Sequence, residues 1–592
     1  MSRRIRKCFL IIFHIIQILY LEGFYKKDQN ITANYDNYIL DKLSIDYGRP
    51  YHAVPSLSPI EEVNIFLSEA NQTVYLKDLF AGTSKIKSLS NTDLKTIYQV
   101  PIQFLKSFGY EGVVVFTDPS QINPKSGIDL RGIDQSDLRI LVWLSRVDEI
   151  SWISDGITNE RLTKMRFKTQ KSLTNLLVEG KSFKNKDFLF LKRLENLGSF
   201  DTRVKIKESL KPGFILPEIE LKPQKKDHLK IFAMNSGTKS TGSWLLGASY
   251  KKLDLTQNDD TLDISLLSSD SGKRASLSTG YYIPLIFPDL LSVGSRVSYS
   301  FYDATSFAFE KVDFDGSSKS LNMWLDWKPL ATESSNQSLS FQTGITLETL
   351  KASNSFLSGE GSTTEISIHL KIKHQRSFDY LSIDSSIGLK KNFKELGIND
   401  GYYLGGIDVE GRYLRMQAEQ LQVLLLGRWL HYNHPDRFGQ FFKDHLLTAR
   451  FASEWAVDGK RHLPQRQFIG GGTGTVRGYP ESVAAGDDGI VLSVEYIFRF
   501  PSFDLGNQIN NASFDLIPFW DYGKTFVNNP FNFESDHTLS SLGLGTRFIT
   551  ENGLTVMVEY GKPLKELSSN GLARKGTSSS DYRIHAKVLW DF

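Results

Sequence analysis

Several classes of protein are removed by what this 592-residue chain lacks. It has one cysteine, Cys8, so an intramolecular disulfide framework, a cysteine zinc site and an iron–sulfur cluster are excluded. It has no excess of one charge: 70 basic against 67 acidic residues leaves +3, far from the basic balance of a dedicated nucleic-acid binder. It lacks apolar runs of the roughly 18–20 residues that a spanning helix needs. The longest, Cys8–Leu21, has 14 residues and is broken by His14 and Gln17, so a helical membrane protein is excluded. The 11 histidines are scattered, with His434 and His462 in apparent loops, and no H-E-x-x-H pair or Cys/His ligand set is present. Neither a metal nor another cofactor is expected, and no catalytic residues are assigned. Two near-matches to a nucleotide loop fail at their first glycine: Asn175 precedes Gly180-Lys181-Ser182, and Pro518 precedes Gly523-Lys524-Thr525.

The N-terminus carries Arg3, Arg4, Arg6 and Lys7 ahead of the short apolar run, the pattern of a secretion signal over 1–22. Cleavage after Glu22 removes four basic and one acidic residue, leaving 66 of each and no cysteine. Residues 23–59 hold turn formers (Tyr47-Gly48-Arg49-Pro50, Pro55, Pro59) and read as a linker with one short helix, Tyr38 to Leu43. Residues 60–147 and 148–228 then repeat an arrangement of strand, two helices and two strands. In the first copy the pattern predicts strands at Val63–Phe66, Gly112–Phe116 and Leu138–Arg146 and a helix at Asp93–Phe108. In the second, Asp148–Ile153 opens the module, Ser172–Leu177 and Asp187–Leu197 read as helices, and Arg203–Leu210 and Phe214–Leu221 as strands. Charge is uneven here: Asp28–Asp78 holds eight acidic and three basic residues, Arg161–Lys226 seventeen basic and seven acidic. That asymmetry suits either a solvated surface or a surface that guides a chain or meets anionic lipid.

From residue 229 to the end, short runs alternate with period two between turn clusters. Tyr582, Ile584, Ala586, Val588, Trp590 and Phe592 share one face, and Arg583, His585, Lys587 and Asp591 the other. Ile366, Ile368, Leu370 and Ile372 oppose Glu365, Ser367, His369, Lys371 and Lys373 in the same way. So many ionisable groups on one strand face suit a transmembrane barrel, whose outside meets lipid and whose lumen meets water. About seventeen candidate strands can be counted, with 403–430 the least regular stretch. Since single-chain barrels have even strand numbers, sixteen is the expectation, at roughly 23 residues per strand and connection. Tyr250, Trp327, Trp429, Trp520 and Trp590 sit at apparent strand ends, where interfacial girdles form.

The most unusual stretch is Phe468-Ile-Gly-Gly-Gly-Thr-Gly-Thr-Val476-Arg477-Gly478-Tyr479. Its glycines permit positive φ and close backbone approach, so the loop can fold back tightly and bring Arg477 to an anion. On the strand from Ala512, the polar parity (Ser513, Asp515, Asp521) points into the lumen, with Gly523 leaving space above Asp521. A bidentate Arg477–Asp521 pair would pin a long loop inside the barrel.

Val476-Arg477-Gly478-Tyr479 followed by Phe519-x-Asp521-x-Gly523 resembles the paired V-R-G-F/Y and F-x-D-x-G motifs of the superfamily of outer-membrane assembly and two-partner-secretion barrels. The tandem modules resemble polypeptide-transport-associated (POTRA) domains, and Ser209-Leu210-Lys211-Pro212-Gly213 resembles the turn ending the second one in the secretion branch. Two modules favour the two-partner secretion transporter (TpsB, hemolysin activator type). The resemblance implies α+β periplasmic POTRA domains followed by an all-β 16-stranded transmembrane β-barrel over 229–592, in the outer membrane of a Gram-negative-type cell. It implies an Arg477–Asp521 latch, a plug segment as the alternative to a linker over 23–59, a secreted exoprotein passenger met through β-augmentation, contact with outer-membrane lipids, and a monomer with no nucleic-acid partner. The terminal Phe592 matches the aromatic read by the barrel-assembly machinery. Glu495 fits both the family's acidic position after the loop and an ordinary lumenal charge. A barrel-assembly factor (insertase) and a passive porin or receptor are the alternative functions.

Overall fold

The computed structural model describes residues 38–592 apart from 48–62, 68–70, 124–127, 133, 155, 173–182, 210, 212–213, 239, 306–312, 333–336, 355–358, 396–412, 434–441, 463–465, 506–508, 531–533 and 568–580. The signal segment 1–22, most of 23–59, the expected helix beyond Ser172, His434, and Leu210 and Pro212-Gly213 of the secretion-type turn lie outside the described residues. The chain divides into two compact units, one ending at Leu221 and the other beginning at Lys222, with residues 195–201 counted in the second.

In the first unit the expected helix Tyr38–Leu43 is instead two strands, Tyr38–Ile39 and Lys42–Tyr47. Leu43 and Ile45 stand two residues apart and are both buried, a strand period, and Lys42–Tyr47 runs parallel to Asp137–Leu144. With Val113–Thr117 on the other side, these form a three-stranded sheet. The sheet buries Leu138, Ile140, Val142 and Leu144 against Leu94, Ile97 and Leu105 of the helix Asn91–Ser107. Ser90 caps that helix, its Oγ accepting the Asp93 N–H at 3.1 Å. Farther on, Phe214–Pro223 runs parallel to Arg146–Val147 and Ser151–Ser154 and is flanked by Phe200–Glu208. A helix at Asn159–Ser172 was not foreseen: of its buried residues Arg161, Leu162, Met165 and Thr169 only Leu162 and Met165 are apolar, too thin a period to read among its charges.

One ion pair of this unit has a measurable consequence. Arg139 Nε donates to the buried Asp118 carboxylate at 3.0 Å, and the Ser120 N–H and hydroxyl donate at 3.0 and 2.7 Å. Burial opposes ionisation, but these hydrogen bonds hold the Asp118 carboxyl below the usual carboxylate range. A depressed folded-state pKa contributes stability above the unfolded value of about 3.9, lost as pH falls below it. Asp118→Asn should therefore lower the unit's stability at pH 7 by about 1–2 kcal/mol. The gap should be narrower at about pH 3, below the unfolded value of about 3.9. Thermal melting followed by circular dichroism in the full chain at both pH values checks this; an equal gap at both would refute it.

The second unit is a closed, sixteen-stranded antiparallel barrel. Its strands are β1 (Asp227–Met234), β2 (Leu245–Leu253), β3 (Thr261–Ser269), β4 (Arg274–Ile286), β5 (Leu291–Thr305), β6 (Asp313–Thr332), β7 (Gln337–Asn354) and β8 (Gly359–Ser377). They continue as β9 (Leu381–Glu395), β10 (Leu414–Leu425), β11 (Leu446–Ala456), β12 (Asp488–Arg499), β13 (Ile509–Phe526), β14 (His537–Ile549), β15 (Leu554–Pro563) and β16 (Arg583–Asp591). β1 closes on β16 with Lys230 opposite Asp591 and Met234 opposite Lys587. Asn235 extends the seam, its amide meeting both the Ile584 carbonyl and the Ala586 N–H.

Period two sorts the side chains as expected of a lipid-facing barrel. Val297, Tyr299 and Phe301 on β5, Leu321, Met323 and Leu325 on β6, and Ile368, Leu370 and Ile372 on β8 are exposed outward. The opposite parity carries hydroxyls and charges that bond across strands, such as Ser298 to Ser320 at 2.6 Å and Ser318 to Glu348 at 2.9 Å. No helix among the described residues is long and apolar enough to cross a membrane. In the irregular stretch 403–430 the described residues hold β10 and the start of a short helix, Leu426–Asn433, which places Trp429 on a helix instead of at a strand end.

Candidate functional site in the barrel lumen

The chain between β11 and β12 does not project away from the barrel. It doubles back as a two-stranded ribbon, Phe468–Gly470 against Ala484–Gly486. Beyond the ribbon, Gly471 and Gly472 take φ of +97° and +94°, a region that disfavours any side chain. The turn is closed by Glu481, whose Oε1 accepts both the N–H and the hydroxyl of Thr473, at 2.8 and 3.0 Å.

This fold delivers Arg477 into a ring of lumen-facing groups from three strands. Its Nε and Nη2 donate to the two oxygens of Asp521 on β13, each at 2.8 Å, and its own backbone N–H donates to the same carboxylate at 3.0 Å. Its Nη1 donates to Glu495 on β12 at 2.7 Å and to Glu559 on β15 at 2.6 Å. Ser493 bridges, accepting from Arg477 Nη2 at 3.1 Å and donating to Asp521 at 2.7 Å. The guanidinium lies 3.5 Å from the centroid of Phe519, a cation–π contact on the remaining face. One cation thus meets three carboxylates, and all five N–H groups of the guanidinium have a partner. Arg477, Asp521 and Glu559 are all buried.

The glycines of both motifs have steric reasons. A Cβ on Gly523 would lie 2.7 Å from Val476 Cγ2, so this position near Asp521 must be bare for the loop to reach the carboxylate. Gly478, at φ +90°, lies directly on the strand wall, where a Cβ would come within 2.9 Å of the Gly561 carbonyl carbon. Tyr479 is fully buried among Val476, Val483, Ala484, Leu539 and Leu567. Its hydroxyl lies 2.6 Å from the Lys565 carbonyl and accepts the Ser540 N–H at 3.2 Å.

The predicted residues Val476, Arg477, Gly478, Tyr479, Phe519, Asp521, Gly523 and Glu495 are therefore brought together at one place. Glu559, Ser493 and Gly561 join them without having been foreseen, although Glu559 and Gly561 share the inward parity of β15. Phe592 stands apart from this site: it is exposed, stacks on Trp590 at 4.8 Å, and ties its N–H to the Leu229 carbonyl at 2.8 Å. Beside the Arg477 ring a cavity of about 370 Å³ is lined by Arg450, Thr475, Glu495, Glu559, His585 and Lys587 among others.

With this geometry established, comparison with known proteins is decisive. The family model described as Haemolysin secretion/activation protein ShlB/FhaC/HecB matches residues 218–548, more than half of the chain. The chain belongs to this family. It is an outer-membrane transporter of the ShlB/FhaC/HecB family that secretes a partner protein, with its N-terminal domains in the periplasm of a Gram-negative cell. The Heme/hemopexin transporter protein HuxB of Haemophilus influenzae (strain 86-028NP) is 22% identical over 527 residues, covering 86% of this chain and 84% of the relative. In fold, CdiB from Escherichia coli aligns with a TM-score of 0.64 at 14% identity, covering 96% of this chain and 93% of its own. CdiB from Acinetobacter baumannii aligns at 0.59 and 15% identity, covering 100% and 98%. Membership in the ShlB/FhaC/HecB family favours the secretion reading over the insertase and porin alternatives.

Proposed function

We propose that the loop between β11 and β12 is the gate of this transporter and that Arg477 is its positioning latch, acting on no bond of the passenger. The observation that carries this reading is the ring of Asp521, Glu495 and Glu559 around a single guanidinium within the lumen. A passenger chain must share that lumen with the loop, so the loop's position sets the free cross-section. The two α+β modules, the first including residues 38–47, act as POTRA domains that receive the unfolded passenger. Val113–Thr117 is suited to receiving it, because it ends its sheet, has no strand beyond it among the described residues, and exposes Val114. An extended passenger segment adds there by main-chain hydrogen bonds. Each chain closes its own barrel, which is sufficient for a monomer. Phe592 serves as the signal read by the barrel-assembly machinery, and the outward apolar band rests in outer-membrane lipid. Movement needs no cofactor or catalysis; folding of the passenger outside the cell biases it.

Quantitative mass spectrometry of the culture medium and outer membrane, comparing a deletion strain with one re-expressing the protein, tests the reading. Loss of one or a few large secreted proteins with other barrels unchanged is expected. General depletion of outer-membrane barrels would overturn it in favour of an assembly factor.

A further inference from the structure

The same loop has a second fastening, near its entry into the lumen and on a different arc of the wall. Arg466 Nη2 donates to Glu348 on β7 at 2.6 Å and to Glu365 on β8 at 2.9 Å. Ser318 donates to Glu348 at 2.9 Å and the Tyr413 hydroxyl to Glu365 at 3.3 Å. From β10, Arg415 Nη2 donates to the Arg466 carbonyl at 2.5 Å while pairing with Glu454 on β11. Lys390 on β9 lies within electrostatic reach of Arg466, Glu348 and Glu365. The loop is therefore a strap, held to β7 and β8 at residue 466 and to β12, β13 and β15 at residue 477.

We infer that Arg466 is a releasable anchor: it lets go of Glu348 and Glu365 while the Arg477 end stays docked, and the strap swings aside for the passenger. The inference rests on the gating role proposed above. Two differences between the anchors carry it. The first is geometric. Arg477 uses every N–H of its guanidinium, including a bidentate fork on Asp521, whereas Arg466 reaches both of its carboxylates through Nη2 alone and leaves a buried Nε without a hydrogen-bond partner. Single-nitrogen contacts hold less tightly than a fork and are easier to exchange for water. The second is charge. Arg477 is the only cation among the described residues hydrogen-bonded to Asp521, Glu495 and Glu559, so its departure strands three carboxylates. When Arg466 leaves, Lys390 remains within electrostatic reach of Glu348 and Glu365. Undocking is therefore easier at 466 than at 477.

The full-length protein in planar bilayers provides the test. Arg466→Gln should raise the frequency of wide openings at least several-fold. Arg466→Lys should stay near wild type, because one nitrogen suffices for both carboxylates; a purely steric role would let neither charge nor its rescue matter. Unchanged openings in Arg466→Gln would overturn the inference. In cells, two reversible locks separate it from the gating reading. Arg466→Cys with Glu365→Cys, bridged by a short bis-methanethiosulfonate, should stop secretion until reductant is added. Gly474→Cys with Arg450→Cys, whose carbonyl oxygen and Nη1 lie 3.2 Å apart at the Arg477 end of the loop, bridged by the same reagent, should be tolerated. A block by the second lock alone would overturn the releasable-anchor assignment while leaving the loop as gate. No block by either would overturn both.

Discussion

Arg477→Ala should reduce passenger secretion by about tenfold or more while leaving the barrel inserted and closed. The substitution removes the cation from Asp521 and Glu559, both buried, and from Glu495. Breaking one side of a buried pair costs about 3–5 kcal/mol, because the partner is left uncompensated. The barrel itself does not depend on this contact, since its ladder is complete from β1 through β16. The cost therefore falls on the docked loop. Arg477→Lys should fail almost as badly, since one ammonium cannot fork onto Asp521, reach Glu495 and Glu559 and stack on Phe519 together. Glu559→Gln should be milder than Asp521→Asn, because it removes surplus negative charge and spares the fork. The measurement is passenger in the medium relative to folded barrel in the outer membrane. Normal secretion by a stably inserted Arg477→Ala variant would sink the latch.

The contrast between Asp521 and Glu559 shows which parts of the site were legible in sequence. Asp521 could be found because its strand alternates cleanly and Gly523 marks a close approach. Glu559 obeys the same parity, but parity gives only the face and not the height at which a strand passes the loop tip. That height is set by barrel closure, which brings β12, β13 and β15 around residue 477 from positions up to 82 residues away. Gly561 was hidden for the same reason: its bareness matters only once Gly478 rests on it. The strand at Lys42–Tyr47 was misread because its partner, Asp137–Leu144, is distant in sequence and parallel, so no hairpin turn announces it. The sixteen-strand barrel was readable because lipid outside and water inside impose one rule on every strand.

The contact between Gly478 and Gly561 yields the second large effect. Gly561→Ala would set a Cβ 2.6 Å from the Gly478 nitrogen and 3.0 Å from the Arg477 carbonyl carbon, against backbone on both sides. β15 cannot yield, because it is hydrogen-bonded to β14 and to β16 across Gly561. The loop must therefore lift, and every Arg477 hydrogen bond lengthens together, since their acceptors sit on strands that stay put. Gly478→Ala meets the same wall and also places a side chain at φ +90°. Each single substitution should cut secretion to about the level of Arg477→Ala, and the pair should be no worse than either alone, because both act on one contact. Gly474→Ala is the control: it lies in the same loop, but its Cβ would have no atom within 4 Å, so secretion should be unchanged. If Gly474→Ala were as damaging as Gly561→Ala, the loop's general mobility would be what matters. If Gly561→Ala alone is damaging, the requirement is close seating of the tip on β15, which holds the guanidinium within reach of all three carboxylates.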